Sequence, residues 1–126
     1  MINNRLLNYL IRRWYNISKF TDKRDLVGWL LDYMKQYNIS NRHKEQIYNV
    51  VLKLSKKTDL QKERFIRYYG LQPTEFKKET LSAISRDQHC TPNAVKSSVI
   101  AIRIAMFRIH DEDLSILEKI YEEYHK

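Results

Sequence analysis

Residues 79–108 read ETLSAISRDQHCTPNAVKSSVIAIRIAMFR, and this stretch decides the fold. Thr80 is placed to cap a first helix over Leu81–Gln88. Thr91 is placed to cap a second, with Pro92 at its first helical position, where the missing N–H has no intrahelical partner to lose. Val95, Val99, Ile102 and Met106 follow at steps of four, three and four, which gathers them on one helical face. Asn93, Lys96, Ser97 and Arg103 fall on the other. A short capped helix, a tight turn and a longer helix that is polar near its start make a helix-turn-helix pattern. The same pattern also describes an ordinary αα-hairpin inside a helical bundle.

The rest of the chain is consistent with an all-α, multi-helix protein that contains this unit. Its 126 residues suffice for one real core. Two Gly and two Pro are few, while nine Tyr and two Trp add aromatic surface to a chain rich in Leu and Ile. Formal net charge is +8, which points to a polyanionic partner and says nothing about fold. The charge is uneven: 12 Lys/Arg against 4 Asp/Glu in 1–58, nine against five in 59–110, and two against six in 111–126. These three spans are read as a basic helical N-terminal part, the helix-turn-helix unit and an acidic C-terminal helix. A single cysteine, Cys90, excludes an internal disulfide and a multi-thiolate zinc site. Arg12 and Arg13 interrupt the apolar start, so it does not read as a secretory signal. No apolar run is long enough to span a bilayer, and a cytoplasmic protein without a membrane partner is expected.

Helical signals recur along the chain. Leu6, Leu7, Leu10 and Ile11 give residues 3–16 an amphipathic pattern with a basic face. A helix from Thr21 or Asp22 to about Tyr37 carries Leu26, Trp29, Leu30, Tyr33 and Met34. Another begins at Asn41 or Arg42, with Ile47, Val50, Val51 and Leu54 apolar. Thr58 and Gln61 form a capping-box pair ahead of LQKERFIRYY, and Gly70 is placed to end that helix in the left-handed conformation. Gln72–Lys78 reads as a linker or a short turn around Phe76. A last helix starts at Asp111 or Asp113. Six or seven helices are expected. His43 and His110 lack ligand partners at useful spacing and are expected at the surface. Cys90, in the tight turn, is expected as a small buried hydrophobe.

From Glu63 to Arg108 the chain resembles region 4 of the housekeeping class of bacterial sigma factors. ERFIRYYGL is similar to that family's first helix, ETLSAISRDQHCTP to its next helix and turn, and NAVKSSVIAIRIAMFR to its recognition helix. Leu81 and Ile84 match apolar positions, Cys90 the small residue of the turn, Thr91 the capping threonine and Val95 the first apolar position beyond it. The resemblance implies a unit that reads a promoter element in the major groove and packs on RNA polymerase. The stretch also resembles the C-terminal effector domain of the sporulation-initiation response regulator, through Ile84, Thr91, Val95, Ser98, Val99, Ile102, Met106 and Phe107. Departures from region 4 are Gln88 at an apolar position, His89 where Gly takes the left-handed turn, and Pro92, Asn93 and Ala94 where charged residues open the recognition helix. No promoter-melting region is recognisable, so a complete sigma factor is not expected.

On this reading Asn93, Lys96 and Ser97 contact base edges. Arg64, Arg67, Lys77, Lys78, Arg86, Thr91 and Arg103 contact the DNA backbone and supply the salt-dependent part of binding. The expected partners are double-stranded DNA, RNA polymerase and a second copy of the chain. No cofactor and no metal is expected, and no catalytic constellation is present in the pattern. The leading expectation is a sequence-specific transcriptional regulator. The alternatives are a polymerase- or regulator-binding protein that does not read DNA, and a helical assembly protein with non-specific nucleic-acid contact.

Overall fold

The computed structural model describes residues 24–125. Six helices and no strand occur among them: α1 (Asp25–Gln36), α2 (Asn41–Leu52), α3 (Asp59–Tyr69), α4 (Leu81–Asp87), α5 (Pro92–Met106) and α6 (Asp111–Tyr124). The amphipathic pattern at 3–16 and the helix start at Thr21 or Asp22 lie outside the described residues.

Local chemistry sets most helix ends. The Ser40 side chain accepts the His43 N–H at 3.2 Å and caps α2, which begins at Asn41, one of the two starts read from the sequence. At α3 the capping box forms in both directions: Thr58 Oγ1 accepts the Gln61 N–H, and Gln61 Oε1 accepts the Thr58 N–H. Gly70 ends α3 at φ 70°, ψ 42°, and the Leu71 N–H reaches back to Ile66 O at 2.9 Å. Leu71 is then fully buried against the helix it has just left. Asp111, Glu112 and Asp113 occupy the first turn of α6, where the helix dipole favours negative charge.

Helix α5 packs on α3 and α4, which makes the trihelical unit, and α6 packs on α1 and α2. The two groups meet through α2–α3 and α1–α3 contacts, and one apolar core runs through both. Phe65, Ile84, Val95 and Ile102 fill the trihelical side, while Leu30, Ile47, Leu117 and Ile120 fill the other. Arg24 fastens the start of α1 to the end of α5, donating to Phe107 O at 2.9 Å and Ile109 O at 2.8 Å. Phe107 is the C-cap of α5, so the guanidinium satisfies an orphan carbonyl at that helix end and ties it to the connection that follows. No helix among the described residues is long and apolar enough to cross a membrane.

His43 departs from expectation. His110 is exposed, but His43 is only 5% exposed. Its ring nitrogens find partners from the far end of the chain: Tyr124 Oη lies 2.7 Å from Nδ1, and a Glu123 carboxylate oxygen lies 3.1 Å from Nε2. The same tyrosine oxygen accepts the Ser40 N–H at 2.8 Å. A buried imidazole is tolerated because both polar ring atoms are satisfied. The histidine's surroundings in sequence carry no sign of partners some eighty residues away.

Candidate nucleic-acid interface

The turn between α4 and α5 is held by backbone and hydroxyl groups. Thr80 Oγ1 accepts the Ala83 N–H and Thr91 Oγ1 accepts the Ala94 N–H, each at 3.1 Å. The Gln88 N–H and Cys90 N–H return to Ile84 O and Ser85 O, both at 3.0 Å. Between them His89 takes φ 54°, the left-handed conformation that its place in the turn requires. Cys90 is half-buried against the core. This frame fixes the direction in which α5 leaves the turn.

On α5, Val95, Ser98, Val99, Ile102 and Met106 face inward. Asn93, Lys96 and Ser97 are exposed, and none has a side-chain partner among the described residues. They share the first two turns of the helix, beside exposed Arg86 and His89 from α4 and the turn. The outward row continues from Lys96 in steps of four to Ile100, 44% exposed, and Ile104, 50% exposed. The sequence reading missed these two isoleucines. Counting by four from Lys96, rather than following only the inward stripe, finds them.

The arginines expected on phosphate turn inward instead. Arg64 reaches from α3 across the turn: Nε donates to Gln88 Oε1 at 2.6 Å, Nη1 to Ser98 Oγ at 3.0 Å, and Nη2 approaches Cys90 Sγ at 3.5 Å. It braces α3 against both helices of the motif. Its partner Gln88 is the residue that replaced an apolar one in the sequence comparison. Arg67 makes a two-pronged bond to Glu79, at 2.7 and 2.8 Å, and a further one to Asp87 at 2.9 Å. Arg103 joins α5 to Asp32 of α1 at 3.0 Å and to Tyr69 Oη at 3.4 Å. All three are held by intramolecular acceptors that a phosphate would have to displace. The sequence shows cations on helices but not the acceptors that later helices bring to them.

The remaining candidates divide. Arg86 and Lys77 are exposed. Thr91 is exposed, with its hydroxyl engaged as the α5 cap. Lys78 is half-buried, with Nζ 3.4 Å from Tyr37 O. Burial, and then the charge of Lys44, pushes its ammonium pKa down. The accessible polar face of the motif is therefore Arg86, His89, Asn93, Lys96 and Ser97.

The Arg67–Glu79 pair carries a pH-dependent part of stability. The hydrogen bonds from Arg67 hold the Glu79 carboxyl below the usual glutamate range. Above the ordinary glutamate pKa both folded and unfolded chains are ionised there, and the pair contributes fully. As pH falls below that value the unfolded chain takes up a proton first, and the contribution is gone once pH passes the depressed native value. Glu79→Gln should flatten that part of the acid limb in a series of urea midpoints against pH. Arg67→Ala should cost about 2 kcal/mol at neutral pH, because it leaves Glu79 partly buried without its partner.

Comparisons with protein-family models, with curated proteins and with solved structures gave no match. The functional reading accordingly rests on the geometry of the motif and on its sequence.

Proposed function

We propose that α3–α5 form a sigma region 4-like helix-turn-helix that reads double-stranded DNA, and that the protein is a transcriptional regulator. One observation carries this: Asn93, Lys96 and Ser97 stand exposed and unpartnered at the start of a capped helix, where such motifs present side chains to base edges. Asn suits adenine and Lys suits guanine N7 or O6. The net charge of +8 supplies the attraction common to any duplex. Arg86, with Lys77 on the loop before α4, is the nearby cation left for phosphate. Arg64, Arg67 and Arg103 are removed from that list.

Binding is tested by mobility shift against genomic fragments over a salt series, followed by titration of the retained target and a scrambled duplex. Lys96→Ala should cost about 1–3 kcal/mol on the target and little on the scrambled sequence. Arg86→Ala should weaken both alike and lower the salt slope by about one unit. An unchanged target-to-scrambled ratio in folded Lys96→Ala protein would remove the base-reading role.

A second reading is favoured by Ile100 and Ile104. They make the outer face of α5 apolar beyond its second turn, which suits protein contact, such as the RNA polymerase surface that the sigma resemblance implies. Capture of polymerase by protein with no DNA affinity would select it. Light scattering with and without DNA decides whether a second copy takes part.

A further inference from the structure

A recess of about 330 Å³ lies between the α2–α3 connection and the α5–α6 junction. Lys53, Lys56, Lys57 and Arg108 line it, with Asp113 as the single carboxylate. Asp113 is paired with Lys53 at 3.3 Å. The neighbouring Asp111 faces Arg24 at 3.5 Å. Lys56, Lys57 and Arg108 have no carboxylate partner among the described residues. Cations gathered around one hollow repel one another, and the repulsion is relieved when an anion enters. Lys56 holds φ 61°, a conformation disfavoured for a residue with a Cβ, in the short loop that brings the three lysines together. Leu54, Ile104 and Ile109 add apolar surface to the same lining.

We propose that this recess binds a small phosphate ester: the phosphate meets Lys56, Lys57 and Arg108, and the organic part covers Leu54, Ile104 and Ile109. The volume falls at the low end of small-ligand sites, and the lining offers both cations for a phosphate and apolar side chains for an organic group. A duplex fits less well. The recess sits toward the C-terminal end of α5, with Ile104 about 12 Å along the helix axis from Lys96. A hollow of this size admits one group rather than a continuous backbone. The site stands whether or not the start of α5 reads DNA.

The test is an amide-resolved NMR titration of the full chain with AMP, geranyl monophosphate, inorganic phosphate and adenosine. At least one ester should give saturable shifts centred on residues 53–57 and 104–113, more tightly than inorganic phosphate, while adenosine gives none. Tighter binding of AMP assigns a nucleoside phosphate, and tighter binding of geranyl monophosphate an aliphatic one. Lys57→Ala and Arg108→Ala should each weaken the preferred ester about tenfold. Lys119→Ala, a surface cation outside the recess, should leave it unchanged. Should Arg108→Ala fail to fold, Lys56→Ala takes its place. The proposal is overturned if neither ester saturates below roughly 10 mM, if inorganic phosphate binds as well as both esters, if the lysine and arginine variants bind normally, or if only duplex DNA moves these residues.

Discussion

Gly70→Ala should lower the stability of the folded chain by about 3 kcal/mol, the sum of two independent penalties. Gly70 closes α3 at φ 70°, where a residue with a Cβ pays about 1–2 kcal/mol. The Cβ itself would stand 2.9 Å from the Lys78 backbone nitrogen and 3.1 Å from the Lys77 carbonyl carbon. These are backbone atoms, so no side-chain rotation relieves the contact. The segment they belong to is anchored one residue later, where the Glu79 N–H donates to Arg67 O at 3.0 Å. Moving it would also disturb the Arg67–Glu79 pair. Urea unfolding checks this as a fall in midpoint at constant slope. Gly70→Asn separates the penalties: Asn tolerates the left-handed conformation but keeps the Cβ, so it should recover only the backbone part. A variant as stable as the parent would mean that the 77–78 backbone yields freely.

The second large effect is expected at Arg64 and Gln88. Arg64→Met should cost about 3 kcal/mol, since it leaves the Oε1 of half-buried Gln88 without its donor, while Nε2 keeps its bond to Glu63. Gln88→Leu should cost about 2 kcal/mol by leaving the guanidinium with one fewer acceptor. Together the two changes should cost less than either alone. Removing both partners of a bond leaves nothing unsatisfied, and Ser98 keeps its own bond to Ala94 O at 3.3 Å. A thermodynamic cycle of the four proteins measures this coupling. The same four separate a brace from a phosphate contact. If Arg64 acts only by holding the motif, target DNA affinity should fall in Arg64→Met and return in the double variant. If it stays low in the stable double variant, Arg64 touches the duplex after all.

How much of this was legible in the sequence depends on the range of the interaction concerned. Caps at Thr58, Thr80 and Thr91, the turn at His89 and the stop at Gly70 act over two to four residues, and each is where the sequence placed it. The inward face of α5 follows from its period and is also as read. The sequence reading failed where partners come from distant segments. Arg64, Arg67 and Arg103 look like free surface cations when read on their own helices, because a helix pattern reports which face a residue occupies and not what will pack opposite it. Gln88 reads as a defect in an apolar position, and its partners Arg64 and Glu63, 24 and 25 residues earlier, make sense of it. His43 reads as a surface residue for the same reason, its partners being Glu123 and Tyr124. Asn93, Lys96 and Ser97 lie exposed, as their place opposite the apolar stripe predicts, because exposure requires no intramolecular partner.

The closure of α6 over α1 and α2 also bears on the order in which the chain can be assembled. The trihelical unit is built from neighbours in sequence, and its contacts can form as soon as residues 59–106 exist. Helices α1 and α2 leave the ribosome earlier, yet α6, the helix that covers them, is synthesised after the whole trihelical unit. Arg24 must wait for Phe107 and Ile109, and His43 for Tyr124. During synthesis the N-terminal helices therefore stand with Leu30, Ile47 and their neighbours lacking the cover that Leu117 and Ile120 provide. A chain stopped near Met106 would hold a complete helix-turn-helix attached to an unfinished half-core, prone to aggregation through the surface that α6 should hide. The cover for α1 and α2 thus comes from α6, on the far side of the trihelical unit in sequence.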